Sequence, residues 1–147
     1  MKKLFVVFIS LNFIAATCGK KVEDVIPTLG AVSMKVNGAN WTGQVIAIMI
    51  DNESLVVNAV NPTVSNQETV GIVVGKVTQT GTYKVKGRTG NAFIFSSKAI
   101  TYSGIEDGEV TVTAIKTAGG KTVPSGTFKA TCIAPNGTKI VVTEGKF

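Results

Sequence analysis

Few residues in this chain are able to do chemistry. Two cysteines, Cys18 and Cys132, nine carboxylates and no histidine make up its stock of nucleophiles, bases and metal ligands. Without an imidazole the chain lacks the usual general base and the commonest metal ligand, and neither a Ser-His-Asp nor a Cys-His arrangement can form. Cys132 falls in step with Phe128 and Ala130 along Phe128-Lys129-Ala130-Thr131-Cys132. It is therefore expected to be a small buried apolar side chain, since a nucleophile would need an activating base that the sequence does not offer. Two carboxylates at a set separation suffice for glycoside hydrolysis, but spacing along the chain identifies no such pair. The densest acidic group, Glu106-Asp107-Gly108-Glu109, and its smaller echo Asp51-Asn52-Glu53 offer oxygen ligands of the kind calcium takes. The first lacks the regular alternation of a dedicated calcium loop, and Asp107-Gly108 reads as hairpin-turn chemistry instead. In the basic cluster Lys84, Lys86 and Arg88, the two lysines share the face opposite Tyr83 and Val85, as a solvated strand face does. Neither enzyme activity, nor a cofactor or metal site, nor a nucleic-acid partner is expected.

Cys18 has a different chemistry because of what precedes it. Lys2 and Lys3 lead into an apolar run from Leu4 to Ala16, interrupted by Ser10 and Asn12. A charged start, an apolar stretch too short to span a bilayer stably and small residues at its end read as an export signal over residues 1–17. The segment Ile14-Ala15-Ala16-Thr17-Cys18 resembles a bacterial lipobox, with Ala15 where Leu is favoured and Thr17 where Gly, Ala or Ser is. That resemblance implies cleavage before Cys18 and acylation of the new N-terminus. The alternative is an ordinary secretory signal cut near Ala16, leaving Cys18 free or bonded to Cys132. Each buried CH2 contributes about 0.8 kcal/mol, so one acyl chain holds a protein marginally and two or three hold it effectively permanently.

Residues 18–30 are polar at the start and punctuated by Pro27, and read as a tether between the lipidated cysteine and a single domain over residues 31–147. Lys20, Lys21, Glu23 and Asp24 resemble the short lysine-plus-acidic signal of surface-exported lipoproteins in Bacteroidota-type bacteria. The expected location is the outer membrane, lipid-anchored, on the periplasmic or the cell-surface side. The whole chain carries a formal charge of +6, and the lysines beyond the tether are spread along it rather than concentrated as a nucleic-acid binder would have them.

From Ala31 onward, runs of four to eight residues rich in Val, Ile, Thr and Phe alternate with clusters of Gly, Asn, Asp and Pro. This is strand and turn throughout. Alternation in Tyr83-Lys84-Val85-Lys86 and Val110-Thr111-Val112-Thr113-Ala114 gives one apolar and one wet face, the mark of antiparallel sheets. Val45 to Ile50 and Val70 to Val74 are apolar on both faces and are expected to be central strands covered above and below. Asn37-Gly38 suits a two-residue type I′ hairpin, and Ala134-Pro135-Asn136-Gly137 a type I turn followed by a left-handed glycine. The expected fold is an all-β antiparallel sandwich or flattened barrel of nine or ten short strands, with a lipocalin-like barrel as the alternative. Trp41, Phe93, Phe95, Tyr102 and Phe128 are expected in the core, against the alternatives of a sugar-stacking platform or a cavity lining. The C-terminal Phe147 is matched by no lipid-facing row, so a membrane barrel is not expected.

Met34-Lys35-Val36-Asn37-Gly38-Ala39-Asn40-Trp41, Gly81-Thr82-Tyr83, and the ending from Ser125-Gly126-Thr127-Phe128 through Val142-Thr143-Glu144-Gly145-Lys146-Phe147 resemble the small uncharacterised lipoproteins common in Bacteroidota, a domain-of-unknown-function family. The resemblance implies a location and a fold class, with no chemistry and no functional residue beyond Cys18. A cell-envelope lipoprotein whose β-domain binds an envelope protein or glycan is the function expected. A structural accessory subunit of an envelope complex, or a carrier of a small apolar ligand, are the alternatives.

Overall fold

The computed structural model describes residues 30–62, 67–86, 90–98, 100–118 and 120–147. Ten strands follow in chain order: β1 Ala31–Val36, β2 Ala39–Asp51, β3 Ser54–Asn61, β4 Glu68–Val74, β5 Gly81–Lys84, β6 Ala92–Ser97, β7 Ile100–Tyr102, β8 Gly104–Ala118, β9 Lys121–Ile133 and β10 Lys139–Lys146. They pair antiparallel in one sheet, ordered β5-β8-β9-β10-β1-β2-β3-β4-β6-β7, which curls into a half-barrel. The expected all-β antiparallel class is found, in its barrel-like form rather than as two sheets.

Period-two alternation explains the curl. Leu55, Val57 and Ala59 of β3, Val70, Ile72 and Val74 of β4, Phe93 and Phe95 of β6, and Phe128, Ala130 and Cys132 of β9 all lie on one buried face. A flat single sheet would leave that face in water, whereas a curled one buries it against itself. Across the interior β2 meets β9, and β6 meets β8 and β9. The Phe93 and Phe128 rings approach to 5.8 Å between centroids. Among the described residues no polar or charged side chain is buried there. The connection from β7 to β8 shows the closure most directly: Ser103 alone links strands near opposite ends of the sheet order.

Two glycines allow aromatic rings to lie against the backbone. Trp41 covers Gly43 and Phe128 covers Gly145, and a Cβ at either position would collide with the ring. Gly145 follows a bulge in β10, where the register with β9 shifts between Val142 and Gly145 and Glu144 takes φ +53°. Such bulges bend a strand and raise its twist.

The turn at Asn37-Gly38 forms as expected, with φ +48° and +84°. Asn37 also ties this hairpin to β10, its N–H donating to the Val141 carbonyl at 2.9 Å and its Oδ1 accepting from the Val141 N–H at 2.8 Å. In the β9–β10 turn the Gly137 N–H donates to the Ala134 carbonyl at 2.9 Å, with Gly137 at φ +83°. Asp107-Gly108 is not a turn. It lies within β8, beside Ala130 and Val85, and the Gly108 carbonyl accepts from the Val85 N–H at 2.9 Å. Conversely, Asn52 and Glu53, at φ +46° and +60°, make the β2–β3 hairpin without any glycine.

The expectation that Val45 to Ile50 would be covered on both faces is also corrected. Ile46 is 62% exposed and Met49 42%. Their strand is central in the sheet, but with a single layer its outward face has nothing above it among the described residues. In β4, Val70, Ile72 and Val74 are buried while Gly71 and Val73 on the other face are half-buried.

Candidate functional site

The β1–β2 and β9–β10 turns and the adjoining ends of β3, β4, β6 and β7 lie at one end of the half-barrel, as antiparallel pairing requires. Between them opens a pocket of about 310 Å³. Its apolar lining comes from Val36 of β1, Trp41 of β2, Phe95 of β6, Tyr102 of β7 and Ile140 of β10. Asn37, Asn40, Glu68 and Ser97 supply its polar groups. The aromatic side chains are positioned by inward alternation and by one another. Phe95 meets Trp41 edge-on at 6.2 Å, and Tyr102 tilts against Phe95 at 6.4 Å.

Glu68 is fixed at the start of β4 by two neutral donors. The Trp41 indole N–H donates to its Oε2 at 2.9 Å, and the Ser97 hydroxyl to its Oε1 at 2.5 Å. A buried indole N–H needs a partner, and the carboxylate supplies one. The expected core role of Trp41, Phe93, Phe95, Tyr102 and Phe128 is found, since each is at most 8% exposed. The rings therefore present no open stacking platform for a sugar. Glu68 itself is not among the sequence candidates. Its only local signal is a carboxylate opening the apolar run Thr69 to Val74.

A second depression, of about 300 Å³, lies on the outer face of β8, β9 and β10. Its carboxylates, Glu109 and Glu144, are ion-paired within the sheet. Glu109 accepts from Lys84 at 2.7 Å and from Lys129 at 2.9 Å. Hydrogen bonds from those two lysines hold the Glu109 carboxyl below its ordinary pKa, and the hydrogen bond to Glu109 raises that of Lys84. Glu106 pairs with Lys139 at 2.7 Å. Glu106 and Glu109 of the acidic group that read as a turn are thus strand-borne ion-pair partners, and among the described residues no cluster of acidic or thiol groups is arranged to hold a metal.

Cys132 is fully buried, and desolvation pushes its thiol up to about 11. Lys84 and Lys86 are exposed beside buried Val85, as expected of a solvated face. Arg88, Cys18, and the signal and tether residues lie outside the described residues.

A single-layer β half-barrel with a filled apolar interior and an aromatic mouth rimmed by polar groups is the class of domain defined by this geometry. Residues 29–147 match the domain of unknown function DUF6252, and the chain belongs to that family. Neither the curated proteins nor the solved structures contain a significant match to it.

Proposed function

We propose that this protein is a lipoprotein of the bacterial cell envelope, of the Bacteroidota type, anchored through an acylated Cys18 at the outer membrane. Its β-domain is a non-enzymatic binding module. The anchor is supported by the charged, apolar and small-residue succession ending at Cys18. The observation that carries the binding role is the mouth, a pocket of about 310 Å³ that brings apolar side chains and convergent polar groups together. Metabolic labelling with a fatty-acid probe tests the anchor. The wild type is expected to be tagged and Cys18→Ser to be missed, and an unlabelled wild type overturns it.

A second reading, a structural accessory subunit of an envelope complex, is favoured by one feature of the outer surface. On β2, β3, β4 and β6 the outward side chains from Thr42 to Met49, with Val56, Asn58, Val60, Thr69, Val73, Ala92, Ile94 and Ser96, carry no charge. Ile46, Met49 and Ile94 are exposed within this face. Native mass spectrometry of protein taken from its own membrane distinguishes the readings. A retained small molecule supports the binding module, and a co-purifying protein the subunit. A carrier with its ligand inside the barrel is disfavoured, because side chains fill the interior.

A further inference from the structure

We propose that the mouth pocket binds an alkylammonium group, with Glu68 as its counter-charge. The inference deepens the binding-module reading and rests on it. It begins from the charge balance of the half-buried carboxylates. Glu106 and Glu109 each accept from a lysine at 2.7 to 2.9 Å. Glu68, also half-buried, meets only the neutral Trp41 and Ser97 donors, and no lysine or arginine among the described residues lies within ion-pair distance.

A carboxylate partly withdrawn from water retains attraction for a cation that a fully solvated one loses to the solvent. Each Glu68 oxygen accepts one hydrogen bond here, and a carboxylate oxygen offers a second lone pair. The pocket around it is large enough for a small organic cation. Trp41, Phe95 and Tyr102, each at most 8% exposed, line the pocket with apolar edges that accept an alkyl stem. An anion would meet the carboxylate unfavourably. A neutral apolar ligand would leave its charge uncompensated.

Trp41 is the only tryptophan in the sequence, and it donates directly to Glu68. Its emission therefore reports this site alone. The test titrates the full chain, in mild detergent, with Nα-acetyl-lysinamide, putrescine and n-butanol. Saturable emission changes with either amine and none with n-butanol are expected. The stronger amine identifies the source: the first a lysine side chain, the second a free polyamine. Glu68→Gln, which keeps an acceptor but removes the charge, is expected to weaken amine binding by about tenfold or more. Glu109→Gln, which removes a carboxylate of the outer face away from the mouth, is expected to stay within about threefold of wild type. If Glu68→Gln does not fold, the comparison of the two amines with n-butanol on the wild-type chain carries the test. Equal responses to n-butanol and the amines overturn the ammonium assignment while leaving a binding pocket. No saturable response to any probe overturns the assignment and the mouth as a binding surface together.

Discussion

The thiol of Cys132 sits without solvent exposure among Phe128, Ala130 and Ile140, in the interior that the alternation of β9 implies. Burial raises its pKa from 9.0 to about 11, because the thiolate would lose its hydration. The consequence for stability has a definite sign. In the unfolded chain the thiol ionises from its ordinary value, while in the folded chain it stays protonated to the higher one. Its contribution is therefore complete below pH 9 and is lost as pH rises toward 11. In a Cys18→Ser background, the melting temperature should fall more steeply between those values than that of the same chain carrying Cys132→Ala. Below pH 8 the difference between the two should be constant, about 1 kcal/mol in favour of the thiol. Parallel curves across the alkaline range would show that Cys132 ionises as freely folded as unfolded. Glu68 has the opposite placement: it is half-buried at a mouth rather than sealed in a core, and the two neutral donors that hold it leave its charge available to a ligand.

At the scale of the element, the β9–β10 hairpin depends on a left-handed glycine. Gly137 has φ +83°, and a β-branched side chain in that region is strained. Gly137→Val should cost about 1 to 3 kcal/mol, read as a lowered denaturation midpoint in urea. Gly30→Val, at an exposed glycine with nothing within 4 Å of its notional Cβ, should change the midpoint little. Comparable losses for the two would mean that the turn is not what sets this hairpin's register. The turns at Asn37-Gly38 and Pro135-Asn136-Gly137 were legible in the sequence because their conformation is decided within four residues. Asp107-Gly108 has the same local chemistry as the first of these, but Lys84, Lys129 and Lys139 pair its flanking carboxylates from neighbouring strands, and Gly108 lies beside Val85 and Ala130. Tertiary pairing overrides the turn propensity there. Alternation likewise identified the core side of each strand, but it could not tell whether a second layer would cover Ile46 and Met49. The mouth was least legible, since Glu68 meets Trp41 and Ser97 across 27 and 29 residues of chain. Only the pairing of β4 with β6, and the curl that brings β2 and β7 to the same rim, assemble it.

The topology of the whole molecule determines how it should come apart. β1 and β10 pair with each other at the middle of the sheet order, joining the β1–β4 meander to the β8–β10 meander. Neither half can close its apolar face alone, because β2 packs on β9 and β6 on β8 and β9 across the interior. Loss of the β1–β10 seam would expose both halves at once, so the two meanders should unfold as one cooperative unit. The edges differ. β5 has four residues and β7 three, each with a single paired neighbour. Short edge strands limit edge-to-edge association, and few ladder bonds make their local opening easy. Native-state hydrogen exchange followed by mass spectrometry should therefore give peptides from β1, β2, β9 and β10 the slowest exchange, with one common free energy equal to that of global unfolding. Peptides from β5 and β7 should exchange well before them. A common value for β1 to β4 that differs from the value for β8 to β10 would show two separable units, and the β1–β10 seam would then be a contact between them instead of the centre of a single cooperative sheet.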